Sequence, residues 1–71
     1  MDSKITRVLE ILSDGRWHEV EDLRRLIKLD EFRMREITAL MNRYGFARID
    51  DENKKVKIDK GFQKFLVQTM V

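Results

Sequence analysis

Arg33, Arg35, Asn42 and Arg43 fall in one stretch of this chain, and Lys54, Lys55 and Lys57 follow a few residues later. These residue types share one chemistry. A guanidinium donates two bonds to guanine, an Asn amide pairs with adenine, and Lys or Arg neutralises phosphate. At about 100° per residue, Phe32, Arg35, Glu36, Ala39, Asn42 and Arg43 lie on one side of a helix, opposite an apolar stripe. Arg33 sits nearer the stripe but, in the first turn, can extend past the helix end.

The charge balance works against a strong field. Across 30–44, Arg33, Arg35 and Arg43 are cancelled by Asp30, Glu31 and Glu36; across 46–59, Arg48, Lys54, Lys55 and Lys57 are cancelled by Asp50, Asp51, Glu52 and Asp59. Interleaved Arg and Glu on a helix usually form a solvated face with weak ion pairs. The whole chain carries +2, from 15 basic and 13 acidic residues, so a pI near 9.2 corresponds to a mild field only. Any affinity for duplex would be modest and salt-dependent.

Enzyme chemistry finds little support. His18 is the single histidine and has no evident partner; beside Trp17 it is expected to complete the cap region of a helix. Asp50-Asp51-Glu52 lacks the glycine turn and ligand spacing of a calcium loop. There is no nucleophile motif and no phosphate-cradling glycine loop. No catalytic residue, cofactor or metal is expected.

Seventy-one residues make one domain, 1–71, with a core too small to confer much stability alone. With no Cys, disulfides and thiolate metal sites are excluded, and association with a second subunit is the remaining way to gain stability. The charged fraction of 39%, with no Pro, leans towards a thermophile-like surface. No basic-then-apolar leader opens the sequence and no apolar run approaches membrane length, so a cytoplasmic location without membrane contact is expected.

The elements that must position these residues follow from period and punctuation. Asp2 or Ser3 can cap a first helix with Ile5, Val8, Leu9, Ile11 and Leu12 on one stripe, ended by Asp14-Gly15. Arg16-Trp17-His18 allows one short extended bridge, and Trp17, the only indole, is expected to pack. A second helix over Glu19 to Ile27 turns Val20, Leu23, Leu26 and Ile27 inward. After a turn at Lys28-Leu29, Asp30 caps a third helix whose inner stripe is Met34, Ile37, Leu40, Met41 and Tyr44. Gly45 stops it and Phe46 packs back on its last turn. The period then falls from about 3.6 to 2. Ala47 and Ile49, then Val56 and Ile58, alternate with polar residues around an Asp51-Glu52-Asn53-Lys54 tip, where Asn53 is expected to take positive φ. Asp59 caps a last helix with Phe62, Phe65, Leu66, Thr69 and Met70 on one face.

The order is α-β-α-α-β-β-α. Its ordered signals are Leu9 to His18, Leu26 to Asp30, Met34-Arg35-Glu36-Ile37, Leu40-Met41, Tyr44-Gly45-Phe46 and Ile58-Asp59-Lys60-Gly61. Together, over nearly the whole chain, they resemble the winged helix-turn-helix family, chiefly its small archaeal and bacterial regulators. The resemblance implies an α+β fold with a three-helix core, a two-stranded wing over about 46–59, a short extra strand and a C-terminal helix over about 60–71. It implies double-stranded DNA as partner, with the third helix in the major groove, Arg33 and Arg35 reaching bases or phosphates, Asn42 and Arg43 further along the groove, and Lys54, Lys55 and Lys57 holding the backbone on the wing side. It also implies a transcriptional regulator acting as a homodimer. Two departures from the family pattern stand out. Lys28 occupies the turn position where Gly is common, and the wing tip is acidic at Asp50-Asp51-Glu52 where Lys or Arg is usual.

Phe62, Phe65, Leu66 and Met70 load the terminal helix with apolar surface that a second subunit could cover, as terminal helices of this fold often do. Phe32 is expected to stand exposed on the third helix. An aromatic there suits a protein interface better than phosphate, and a protein-interaction adapter without DNA binding is the alternative reading.

Overall fold

Two changes of backbone period organise the chain, one at Gly15 and one at Gly45, and both glycines take a left-handed conformation, at φ 77° and 75°. The computed structural model describes residues 4–69, with side chains described as far as 65. Asp2, Ser3 and Met70, together with the side chains of Leu66 and Thr69, lie outside the described residues. The elements are α1 (Lys4–Leu12), β1 (His18–Glu19), α2 (Val20–Ile27), α3 (Glu31–Arg43), β2 (Ala47–Asp50), β3 (Lys55–Ile58) and α4 (Lys60–Thr69). The sheet is antiparallel in the order β1-β3-β2. Ala47 faces Ile58 and Ile49 faces Val56 in the hairpin, and His18 faces Val56 where β1 joins it. The architecture is a three-helix core, a two-stranded wing with one extra strand, and a C-terminal helix, as expected.

The core is aliphatic and small. Val8 and Leu12 of α1 meet Leu23 and Ile27 of α2, Met34 and Met41 of α3, and Ala47, Val56 and Ile58 of the hairpin. The pairs in α1 and α2 lie four residues apart and the pair in α3 seven, spacings that return a side chain to one face. Thr38 completes the α3 seam. It is buried without a polar penalty because its hydroxyl donates to the carbonyls of Met34 at 3.0 Å and Arg35 at 3.1 Å.

Several expectations about the apolar residues are corrected. Leu40 and Tyr44 do not belong to the inner stripe of α3; they are 43% and 62% exposed. The seam through Met34, Thr38 and Met41 is centred away from them, so they fall on its flank. Leu26 is likewise exposed, because Leu23 and Ile27 already form the contact that the short α2 makes. Trp17 is 45% exposed rather than packed. It lies against Lys57, whose Nζ is 5.2 Å from the ring centroid, a cation over a π face.

The helix ends show how the chain is steered. Beyond α3, Phe46 N donates to Met41 O at 2.8 Å and Gly45 N to Asn42 O at 3.1 Å. This is the paired-bond cap in which one left-handed residue satisfies two orphan carbonyls. The end of α2 repeats it with a different residue. Leu29 N reaches Arg24 O at 3.1 Å and Lys28 N reaches Arg25 O at 3.3 Å, with Lys28 at φ 56°. The turn therefore has the shape glycine would give, and Lys28 adopts it at a cost of about 1 kcal/mol.

The caps at the helix starts are as expected. Asp30 Oδ1 accepts from Arg33 N at 2.7 Å, and Asp59 Oδ1 from Phe62 N at 3.2 Å. His18 plays no part in capping α2, whose N-cap residue is Glu19. Its Nε2 instead lies 2.9 Å and 3.0 Å from the two carboxylate oxygens of Asp14, across the corner after α1.

At the wing tip the positive-φ residue is Lys54, at 52°, not Asn53. Asn53 is used differently: its backbone N and side-chain Nδ2 both donate to Asp50, at 3.2 and 2.8 Å. Lys54 O accepts from Val20 N at 3.0 Å, which ties the return of the wing to the first residue of α2. Rings continue from α3 into α4. Tyr44 stacks on Phe46 at 5.9 Å between centroids, Phe46 on Phe62 at 4.4 Å, and Phe62 on Phe65 at 6.2 Å.

Candidate nucleic-acid interface

The outer face of α3 is open to solvent. Phe32, Arg33, Arg35, Glu36, Ala39, Asn42 and Arg43 are all exposed, Phe32 to 70%. Burial of Met34, Thr38 and Met41 on the opposite side fixes that orientation. Opposite charges on this face are less paired than their interleaving suggests. Arg33 Nε lies 3.6 Å from Asp30 Oδ2. Among the described residues the side chains of Arg35, Arg43, Glu31 and Glu36 take part in no ion pair or hydrogen bond. Two guanidinium groups thus stand on the face without an ion-pair partner among the described residues.

Between α3 and the wing runs a cleft of about 550 Å³, with Glu31 and Arg35 on one wall, Asp51 and Lys54 on the other, and Glu21 and Arg24 at the α2 end. Arg24 is committed to the fold. Its Nε bonds both carboxylate oxygens of Glu21 at 3.1 Å, its Nη2 also bonds Glu21, and its Nη1 donates to Leu29 O at 3.0 Å. The Glu21 hydrogen bonds raise the Arg24 pKa, and the same contact lowers that of Glu21. This pair braces α2 against the turn leading into α3.

The acidic tip divides in the same way. Asp50 is held below its ordinary range chiefly by the side-chain bond from Asn53, with the Asn53 backbone N–H adding to it. It organises the turn, while Asp51 and Glu52 are exposed.

The wing lysines do not form one set. Lys54 is exposed, whereas Lys55 and Lys57 are half-buried. Lys55 stands in register between Glu19 of β1 and Asp50 of β2. Lys57 covers Trp17 and is paired across the sheet with Arg48, whose Nε lies 3.5 Å from Asp59 Oδ2. Of the residues assigned to an interface between subunits, Phe65 is exposed and Phe62 is half-buried against Phe46. Leu66 and Met70 fall outside the described side chains.

Among the described residues no group of three or more His, Cys, Asp or Glu is placed to hold a metal ion. None of the described helices is long and apolar enough to cross a membrane.

A short turn joining α2 to an exposed α3, with a hairpin beside it, defines the fold as a winged helix-turn-helix. Compared with protein families, with curated proteins and with solved structures, the chain gives no match. The likeness is thus one of architecture.

Proposed function

We propose that this chain, as a single winged-helix domain over 1–71, binds double-stranded DNA and acts as a small cytoplasmic transcriptional regulator without enzymatic activity. The observation that carries the reading is the pair of exposed, unpaired guanidinium groups of Arg35 and Arg43 on the outer face of α3. α3 enters the major groove, with Arg33 and Arg35 towards base edges or phosphates and Asn42 and Arg43 further along. Lys54 meets the backbone from the wing side, with Lys55 and Lys57 behind it. Few net contacts give modest affinity for one copy. A two-fold homodimer, joined through α4 and Phe65, lets two copies read two half-sites.

Titration of a random-sequence duplex at low and at physiological salt tests this directly. Binding that weakens steeply with salt is the expected result. Absence of binding at low salt removes the reading.

The second reading, a protein-interaction adapter, is favoured by Phe32, which is 70% exposed at the start of α3. Leu40 and Tyr44 extend apolar exposure along the helix. In that case Phe32→Ala abolishes capture of a protein partner and duplex binding is negligible at every salt concentration.

A further inference from the structure

We infer that the outer face of the sheet docks an acidic segment of a partner protein, received by Trp17, Lys57 and Arg48; the inference does not rest on duplex binding. Alternation of side chains along the strands divides the sheet into two faces. Ala47, Val56 and Ile58 are buried in the core, with Ile49 half-buried beside them. Glu19, Arg48, Asp50, Lys55 and Lys57 occupy the alternate positions, on the other face.

That outer face consists of two cross-strand rows. In one, Lys55 stands in register between Glu19 and Asp50, so charges alternate in sign and neighbours attract. In the other, Lys57 is in register with Arg48, and two cations stand side by side. Trp17 lies beyond Lys57, whose Nζ is 5.2 Å from the ring centroid. Like charges directly opposite each other weaken a sheet. The first row shows that this sheet can carry complementary charges, and the second departs from that arrangement.

Internal partners offset the repulsion only in part. Arg48 Nε lies 3.5 Å from Asp59 Oδ2, but the Arg48 side chain is 70% exposed. Asp59 is already committed to the start of α4, where its Oδ1 accepts from Phe62 N. Among the described residues Lys57 makes no ion pair or hydrogen bond, and its aromatic contact is with Trp17. Trp17, 45% exposed, leaves much of a large apolar ring in water. Trp and Arg side by side at a surface are the residue types that most often anchor protein interfaces.

Charge and spacing select the occupant. Carboxylates set over Lys57 and Arg48 convert a repulsive pair into two ion pairs, and an apolar side chain beside them covers the indole. Single-stranded nucleic acid suits the face less well. The two rows are two residues apart along the strands, about 7 Å. A phosphate chain following the strands past the cations therefore meets Glu19 and Asp50 next, and their charges repel it. A polypeptide can place carboxylates over one row and none over the other. Neither Trp17 nor Arg48 belongs to the set of residues assigned to duplex.

Trp17 is the only indole of the chain, so its emission reports on this face. The probe is a synthetic peptide of Glu-Glu-Leu repeats, with a Gln-Gln-Leu peptide as the uncharged control. The Glu peptide is expected to shift Trp17 emission to saturation, and the Gln peptide to leave it unchanged at the same concentrations. Arg48→Thr and Lys57→Gln are each expected to weaken the Glu peptide about two- to fivefold, and the double variant to abolish the response. The melting midpoint of Arg48→Thr is expected to hold or rise, because the substitution relieves the like-charge pair. Equal responses to the two peptides, or none to the Glu peptide, overturn the inference. So does a stronger response to oligothymidylate than to the Glu peptide, which makes the face a stacking platform for single strands. An emission shift produced by raising the protein concentration alone overturns it as well, since a second copy then covers the face. A lower midpoint in Arg48→Thr does the same by assigning the pair to the fold.

Discussion

Replacement of Arg35 by Ala separates a binding residue from a merely solvated one. The Arg35 side chain is exposed and makes no ion pair or hydrogen bond among the described residues, so its removal breaks no polar contact of the fold. The change in stability is therefore expected to stay within about 0.5 kcal/mol, as for surface positions generally. Binding should respond much more. If Arg35 neutralises one phosphate, the slope of log K against log salt becomes shallower by about 0.9, and affinity at 50 mM salt drops roughly tenfold. If it forks onto a guanine, a chosen site loses about 1–3 kcal/mol while random duplex loses less. Arg33→Ala provides the scale. Arg33 already lies 3.6 Å from Asp30, and releasing such an exposed pair costs about 0–1 kcal/mol, so its loss should weaken binding less than loss of Arg35. Fluorescence anisotropy of a labelled duplex over a salt series, with thermal melts of each variant by circular dichroism, reads both quantities. An Arg35→Ala protein with wild-type affinity and slope refutes the reasoning, as does one whose melting point falls by many degrees.

Gly45→Ala should destabilise through backbone conformation alone, since a Cβ there would meet nothing within 4 Å. A cost of about 1 kcal/mol lowers the midpoint by roughly 4–8 °C in a domain of this size, and an unchanged melt would show that φ 75° is not required. Acid should lower the melting point through four carboxylates held below their ordinary values. They are Asp14, chiefly by the Arg16 backbone N–H and then His18; Glu21, by the Arg24 hydrogen bond; Asp50, by Asn53; and Asp59, by the Phe62 backbone N–H. A depressed folded-state pKa stabilises the fold above the unfolded value and ceases to do so as pH falls through the folded value. These groups therefore contribute fully at neutral pH, and the contribution disappears below the ordinary values of 3.8 for Asp and 4.5 for Glu. A melting point flat down to pH 2 would contradict this assignment.

The order of elements could be read from the residues because local signals agreed with the tertiary outcome. Asp30 and Asp59 cap where short carboxylates before apolar runs usually cap, and Gly45 turns where the period changes. What a helix packs against is not local information. Periodicity places Leu40 and Tyr44 near Met41, but the packing partners of α3 gather around Met34, Thr38 and Met41 and leave both residues outside. Thr38 escaped notice because a hydroxyl is no apolar signal until a backbone acceptor satisfies it. At the wing, Asn53 has the chemistry for positive φ, yet its bonds to Asp50 place it one residue before the left-handed position. On the candidate interface, residue type marked Arg33, Arg35 and Arg43. Sequence could not show that Arg35 and Arg43 would be unpaired, nor that Lys55 and Lys57 would be drawn against the sheet and Trp17. Those outcomes depend on distances between side chains from different elements.

The bond from Val20 N to Lys54 O removes a hinge. With its return strand fastened to the start of α2, the hairpin shares one rigid frame with the helix pair, and the gap between Arg35 and Lys54 is set by the scaffold. A jaw of fixed span cannot close on a narrow object or spread around a broad one. On the duplex-binding proposal, the width of that jaw selects its ligand before any individual contact is made.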